Sequence, residues 1–188
     1  MTQCTGRASA ASAALPGVPA ESPPFAWRDP GELRDGELRL VLDYRSPCAP
    51  ARGWTPAYHF GLRVDGDGAD PAGTRVGGTR VGGVELRVGR DARHERVTGH
   101  VGYFVTPEAR GRGYAARAVR LLLPLARAHG LDPLWILCEP RNRASRRTCE
   151  RAGAALADVV RLPDGVGGAR RFRLRYRLRV GAEEVPGR

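Results

Sequence analysis

Between Val105 and Ala116 the chain reads V-T-P-E-A-R-G-R-G-Y-A-A, and no other stretch limits its fold as tightly. An apolar run, G-H-V-G-Y-F-V (Gly99–Val105), leads in, and a helix-forming run, A-A-R-A-V-R-L-L-L (Ala115–Leu123), leads out. Between them sit Gly111 and Gly113. Glycine accepts positive φ and lets backbone approach a ligand with no Cβ in the way. The pattern predicts a strand, a tight turn and the first turn of a helix. Such a junction aims unpaired backbone N–H groups and the positive end of the helix dipole at one spot, which suits a phosphate or pyrophosphate. Arg110 and Arg112 add positive charge there.

The rest of the pattern supplies sheet partners for that strand. L-R-L-V-L-D-Y (Leu38–Tyr44) alternates apolar and polar residues, the period of a half-buried strand. Ala57–Val64 and Val81–Val88 read as two more, and L-W-I-L-C (Leu134–Cys138) as a buried one. Helical spacing runs from Ala115 to His129, with Gly130 ending the helix and Pro124 kinking it. Asn142 caps a second helix that ends at Gly153. A-L-A-D-V-V-R-L (Ala155–Leu162) and F-R-L-R-Y-R-L-R-V (Phe172–Val180) read as a closing hairpin with an outer face of arginines. Residues 1–30, rich in Ala, Ser and Pro, read as a disordered leader, 31–182 as a single domain and 183–188 as a flexible tail. The tandem T-R-V-G-G at Thr74–Gly78 and Thr79–Gly83 reads as a small duplication in a hairpin loop, with the second copy entering a strand.

Charge narrows the function less than it first suggests. The net charge is +11, yet every one of the 31 basic residues is arginine and they are spread along the whole chain. Diffuse charge without aromatic stacking platforms leaves a basic nucleic-acid-binding protein as a remote alternative. The lack of lysine excludes Schiff-base chemistry. Cys4, Cys48, Cys138 and Cys149 show no metal-ligand spacing, so neither a metal site nor a disulfide framework is expected. No apolar run approaches the roughly 20 residues of a membrane span, and the N-terminus lacks a secretory apolar core, so a cytoplasmic protein is expected.

A second block sharpens the first. N-R-A-S-R-R-T-C-E-R-A-G (Asn142–Gly153) fits N-x-x-S-x-x-x-x-E-R/K-x-G, and R-G-R-G-Y-A (Arg110–Ala115) fits Q/R-x-x-G-x-G/A. Together, in this order and at this spacing, they resemble the GNAT superfamily, the acetyl-CoA-dependent N-acetyltransferases. The likeness runs from about Val81 to Val180. The wording G-H-V-G-Y and A-S-R-R-T-C-E is similar to a branch mislabelled after tagatose-bisphosphate aldolase, a chemistry this lysine-free chain does not support.

The resemblance implies an α/β (α+β) fold: a mixed, mostly antiparallel sheet flanked by helices, whose strands at Gly99–Val105 and Leu134–Cys138 splay apart. It implies acetyl-CoA as co-substrate, with backbone groups of Phe104 and Val105 pairing with the pantetheine arm. The pyrophosphate is then expected on Arg110, Gly111, Arg112, Gly113, Tyr114 and Ala115. Asn142 and Ser145 match the second donor-side block. A primary amine of unknown identity is the implied partner, in a monomer or homodimer. Where many relatives carry a general-acid tyrosine, seven residues after the Asn, stands Cys149; Ser145 is the nearest replacement. For the base, His100 stands where the related branch often has a glutamate, with Glu85 and Glu139 as alternatives. Tyr103 lines the acceptor cleft or belongs to the core. A domain that holds acyl-CoA without turnover, a sensor or partner subunit, is the alternative reading.

Gly113→Glu tests the opening motif directly. It places bulk and negative charge at the phosphate seat, and isothermal calorimetry is expected to show acetyl-CoA binding abolished.

Overall fold

The computed structural model describes residues 25–47, 55–65, 78–90, 92–165 and 171–181. Residues 1–24, most of the first T-R-V-G-G copy, Cys4, Cys48 and the tail 183–188 lie outside them. Residues 25–30, assigned to the leader above, lie against the fold: the rings of Trp27 and Tyr58 meet edge-on at 4.9 Å, and Arg28 N–H donates to the Tyr58 hydroxyl at 2.6 Å.

Five antiparallel strands form the first sheet in the order β1-β2-β3-β4-β5: β1 (Leu33–Asp35), β2 (Leu38–Ser46), β3 (Ala57–Val64), β4 (Thr79–Arg87) and β5 (Val101–Val105). The chain then passes through a 3₁₀ turn (Pro107–Ala109) into α1 (Tyr114–Leu121) and α2 (Leu123–Ala128). Pro124 lacks an N–H and sits in the first turn of α2, so the single helical pattern is expressed as two helices meeting at Leu122. A second antiparallel sheet, in the order β6-β8-β7, holds β6 (Leu134–Cys138), β7 (Ala155–Arg161) and β8 (Phe172–Leu178), with α3 (Arg143–Arg151) between β6 and β7. No helix among the described residues is long and apolar enough to cross a membrane.

Period-2 patterning sorts the faces. On β3, Tyr58, Phe60 and Leu62 are buried, while His59 and Arg63 stand on the other side. α1 covers the buried face with Tyr114, Ala116, Ala118 and Val119, whose small alanines let the helix come close. On β8, Leu174, Tyr176 and Leu178 face the core while Arg173, Arg175 and Arg177 alternate outward. Arg175 pairs with Asp158 at 2.6 Å and stacks over the Trp135 ring at 4.3 Å.

Between the sheets, no ladder joins β5 to β6 among the described residues; the central strands splay. They are tied at one end by His100. Its backbone N–H donates to Trp135 O (2.7 Å), its Nδ1 accepts from Trp135 N–H (2.9 Å), and its Nε2 lies 2.9 Å from Gly89 O. Gly99, at φ 71°, makes this approach possible: a Cβ there would sit 3.0 Å from Trp135 O. An imidazole accepting at Nδ1 and donating at Nε2 is the Nε2–H tautomer, held from three elements at once.

His100→Ala removes that clasp and orphans the partly buried Trp135 N–H and the buried Gly89 carbonyl. Each costs about 1–3 kcal/mol, so a lowered urea midpoint is expected, equivalent to about 2 kcal/mol or more.

Candidate active site

The splay opens a cleft of about 610 Å³ between β5, the glycine turn and α3. Which backbone groups of β5 enter it follows from pairing phase. Thr106 N–H donates to Val81 O (2.9 Å) and Arg87 N–H to His100 O (2.8 Å), so the even-numbered residues of β5 are committed to β4. Phe104 therefore spends its N–H and C=O on Gly83, its partner in β4. Tyr103 and Val105 turn theirs to the cleft side. The Val105 carbonyl accepts from Arg110 Nε at 3.1 Å, which closes the turn back onto the strand.

Gly111 (φ 85°) and Gly113 (φ 79°) both adopt left-handed backbone, and a Cβ on either meets nothing within 4 Å. Glycine is needed here for conformation, and the space beside it is open. No side chain caps α1, so the first-turn N–H groups of Tyr114, Ala115 and Ala116 have no acceptor within the helix. Every residue expected at the donor site borders this cleft except Arg112, including Phe104, Val105, Arg110, Asn142 and Ser145. Sequence reading missed Ala144, Arg147, Thr148 and Arg151, which also line it. Their three- and four-residue spacing along α3 was the available signal: it places them on one helix face once Asn142 marks the start.

Asn142 Oδ1 accepts the Ser145 N–H at 3.0 Å, an N-cap that satisfies one orphan donor of α3. Ser145 Oγ lies 2.9 Å from the Tyr103 hydroxyl, which is also 3.7 Å from Cys149 Sγ. A phenol from β5 thus reaches the side chain that replaces the tyrosine expected on α3. Burial, with Cys149 beside it, pushes the Tyr103 hydroxyl above its usual range. Hydrogen bonding to Cys138 and burial likewise push the Cys149 thiol up.

The three residues read as bases lie apart. His100 is 3% exposed, borders neither the cleft nor the hollow described next, and has its ring nitrogens engaged as above. Glu139, at the end of β6, lies 4.0 Å from Arg173. Glu85 is on the face of the first sheet opposite α1, held by the Arg87 guanidinium. There it borders a second hollow of about 520 Å³ with Asp43, Tyr44, His59, Arg80 and Phe104. Its Oε2 is 3.6 Å from His59 Nδ1. His59 had no partner spacing in the sequence because its neighbour comes from another strand, through the register His59↔Glu85.

Residues 36–155 match the family model of the GNAT acetyltransferase domain. No curated protein sequence matches the chain. Among solved structures, it is similar to a GNAT-family acetyltransferase from Bacillus anthracis, at 18% identity and TM-score 0.50 over 66% of this chain and 67% of that one. Mycobacterium smegmatis RimJ, solved with CoA-disulfide, matches at 23% identity and TM-score 0.50 over 70% of this chain and 56% of that one. The microcin C7 self-immunity acetyltransferase MccE, solved with acetyl-CoA and AMP, matches at 18% identity and TM-score 0.49, over 65% of this chain. The chain spans 61% of the length of MccE.

Proposed function

The chain belongs to the GNAT acetyltransferase family, and from that premise we propose that it moves an acetyl group from acetyl-CoA to a primary amine, on a small molecule or a protein N-terminus, by direct transfer in a ternary complex. The observation that carries this reading is the single cleft in which the outward backbone of β5, the open N-terminus of α1 and the cap of α3 converge. The pyrophosphate of acetyl-CoA sits on the first-turn amides beside Gly111 and Gly113, where charge and dipole both favour it. The pantetheine arm lies along β5 and pairs with the outward groups of Tyr103 and Val105, as an added strand does.

Holding amine and thioester side by side supplies much of the rate. The amine lone pair attacks the thioester carbon, and an outward N–H of β5 donates to the developing oxyanion. A C–N bond forms, the C–S bond breaks, and coenzyme A leaves as its thiolate. The Tyr103 hydroxyl, which donates to Ser145 O at 3.2 Å and lies 2.9 Å from Ser145 Oγ before the reaction, turns its proton to that thiolate. A phenol with a raised pKa keeps its proton and so stabilises the thiolate by donating a hydrogen bond. Ser145 then acts through Tyr103 in this reading. His100 stays outside the chemistry, because its ring nitrogens are spent on Trp135 and Gly89. Glu85 borders the second hollow, away from the donor cleft.

Acetyl-CoA incubated with a panel of phenethylamine, spermidine and a short peptide with a free N-terminus is expected to release free thiol in a protein-dependent manner. Binding of acetyl-CoA without release from any of the three indicates a sensor, and no binding at millimolar concentration rejects the donor site. Tyr103→Phe is expected to lower kcat about 10²-fold, the usual loss of one transition-state donor. Its acetyl-CoA Kd should stay within about twofold, because the lost hydrogen bond forms fully only with the leaving thiolate.

A further inference from the structure

We infer that the hollow on the open face of the first sheet seats the acceptor amine, and that His59, paired with Glu85, accepts the proton the amine sheds. This rests on the acetyl-transfer reading above. The register places His59, Glu85 and Gly102 in one row across β3, β4 and β5, all on the face opposite α1. Gly102 has no side chain, and a Cβ there would collide with Glu85 Oε1. The carboxylate therefore leans over β5, the strand whose outer edge borders the donor cleft. Phe104 and Tyr103 line both cavities, so the hollow and the cleft meet at this strand.

The His59 ring is aimed rather than loose. It stacks on Tyr44 with centroids 4.2 Å apart and planes 12° off parallel, and Nε2 lies 3.0 Å from Ser46 Oγ. Nδ1 is left facing the hollow and Glu85 Oε2 at 3.6 Å. In the Nε2–H tautomer Ser46 Oγ accepts from the ring and the Nδ1 lone pair takes the proton, forming a charged pair with the Glu85 carboxylate. An ordinary imidazole is a stronger base than an ordinary carboxylate by about two pK units, which makes His59 the better acceptor of the two.

The groups facing His59 set its charge. Asp43, Tyr44 and Ser46 come from β2, and Arg80, Glu85 and Arg87 from β4. Burial lowers the His59 pKa; Glu85 and Asp43 oppose this and Arg87 adds to it. The free ring is thus neutral at pH 7 and able to accept. The ammonium gives one proton through water to Nδ1 and the freed lone pair attacks the thioester; the second proton left on the attacking nitrogen passes to solvent as the C–S bond breaks. Glu85 balances the imidazolium until it releases the proton to solvent. The exposed rings of Tyr44 and Phe104 flank the hollow and suit an amine borne on an apolar or aromatic group.

The test is the pH dependence of kcat/KM with phenethylamine, in the native protein and in His59→Gln, with acetyl-CoA binding measured in parallel. Because the folded pKa is lowered, native activity is expected above an inflection below about 6.5 and to fall as pH drops through it. His59→Gln should lose about 10²-fold at pH 7, lose that inflection, and climb with pH toward the amine's own ionisation, while binding acetyl-CoA normally. An unchanged profile in a variant that binds acetyl-CoA overturns the inference and leaves acetyl transfer standing. Acetyl-CoA binding with no thiol release from the native protein overturns both. As a readout independent of turnover, the His59 ring titration followed by NMR should move to lower pH in Glu85→Gln. A ring that does not respond overturns the pairing.

Discussion

The imidazole of His100 joins two sheets at the end where they still touch, and the space beyond it depends on that tie. A continuous sheet would spend the outer edge of β5 on β6. Here the ladder is interrupted, and the load passes to a side chain that bonds Trp135 and Gly89 together. Buried polar groups are stable only when satisfied, and this ring satisfies groups from both sheets. Past Val101 the outer edge of β5 has no strand partner among the described residues, which is an unusual condition for a strand inside a protein. A sheet edge offered without a partner is a place for an extended ligand to add as one.

Everything else in the cleft is arranged around that open edge. Pairing phase decides that Tyr103 and Val105 face it and that Phe104 does not. The glycine turn brings the uncapped start of α1 to one end, and α3 closes the far wall with its Asn142 cap. Tyr103 spans the gap from β5 to α3, so a strand residue reaches the spot where the family resemblance led one to expect a helix tyrosine. On the other side of β5, the absence of a side chain at Gly102 lets Glu85 cross toward the same strand.

Much of this was legible beforehand. The β2 to β6 segments, the two glycine-ended helices and the closing hairpin all follow from period and punctuation, and Pro124 announced the break between α1 and α2. That Arg110, Gly111, Gly113, Tyr114, Ala115, Asn142 and Ser145 border one cleft was readable because a turn and a cap are local, encoded by neighbours in sequence. His100 was misleading for the opposite reason. A histidine in a strand carries no mark of whether its ring meets solvent or another backbone, and Trp135 lies 35 residues away. Assigning pantetheine pairing to Phe104 was a similar case. Which alternate residues of a strand face outward depends on its partner's phase, which no single strand reveals.

The sequence by itself determined the class of fold and the glycine turn that leads into the uncapped head of α1, because those rest on backbone preferences and short-range spacing. Only the tertiary structure decided which side chains act together. Register across β3, β4 and β5 set His59 beside Glu85 and Glu85 over the glycine at 102, and the splay of the sheets set Tyr103 beside Ser145 and Cys149. Such juxtapositions join residues far apart in the chain. They are settled by the packing of the two sheets and their helices against one another, which local propensity does not specify.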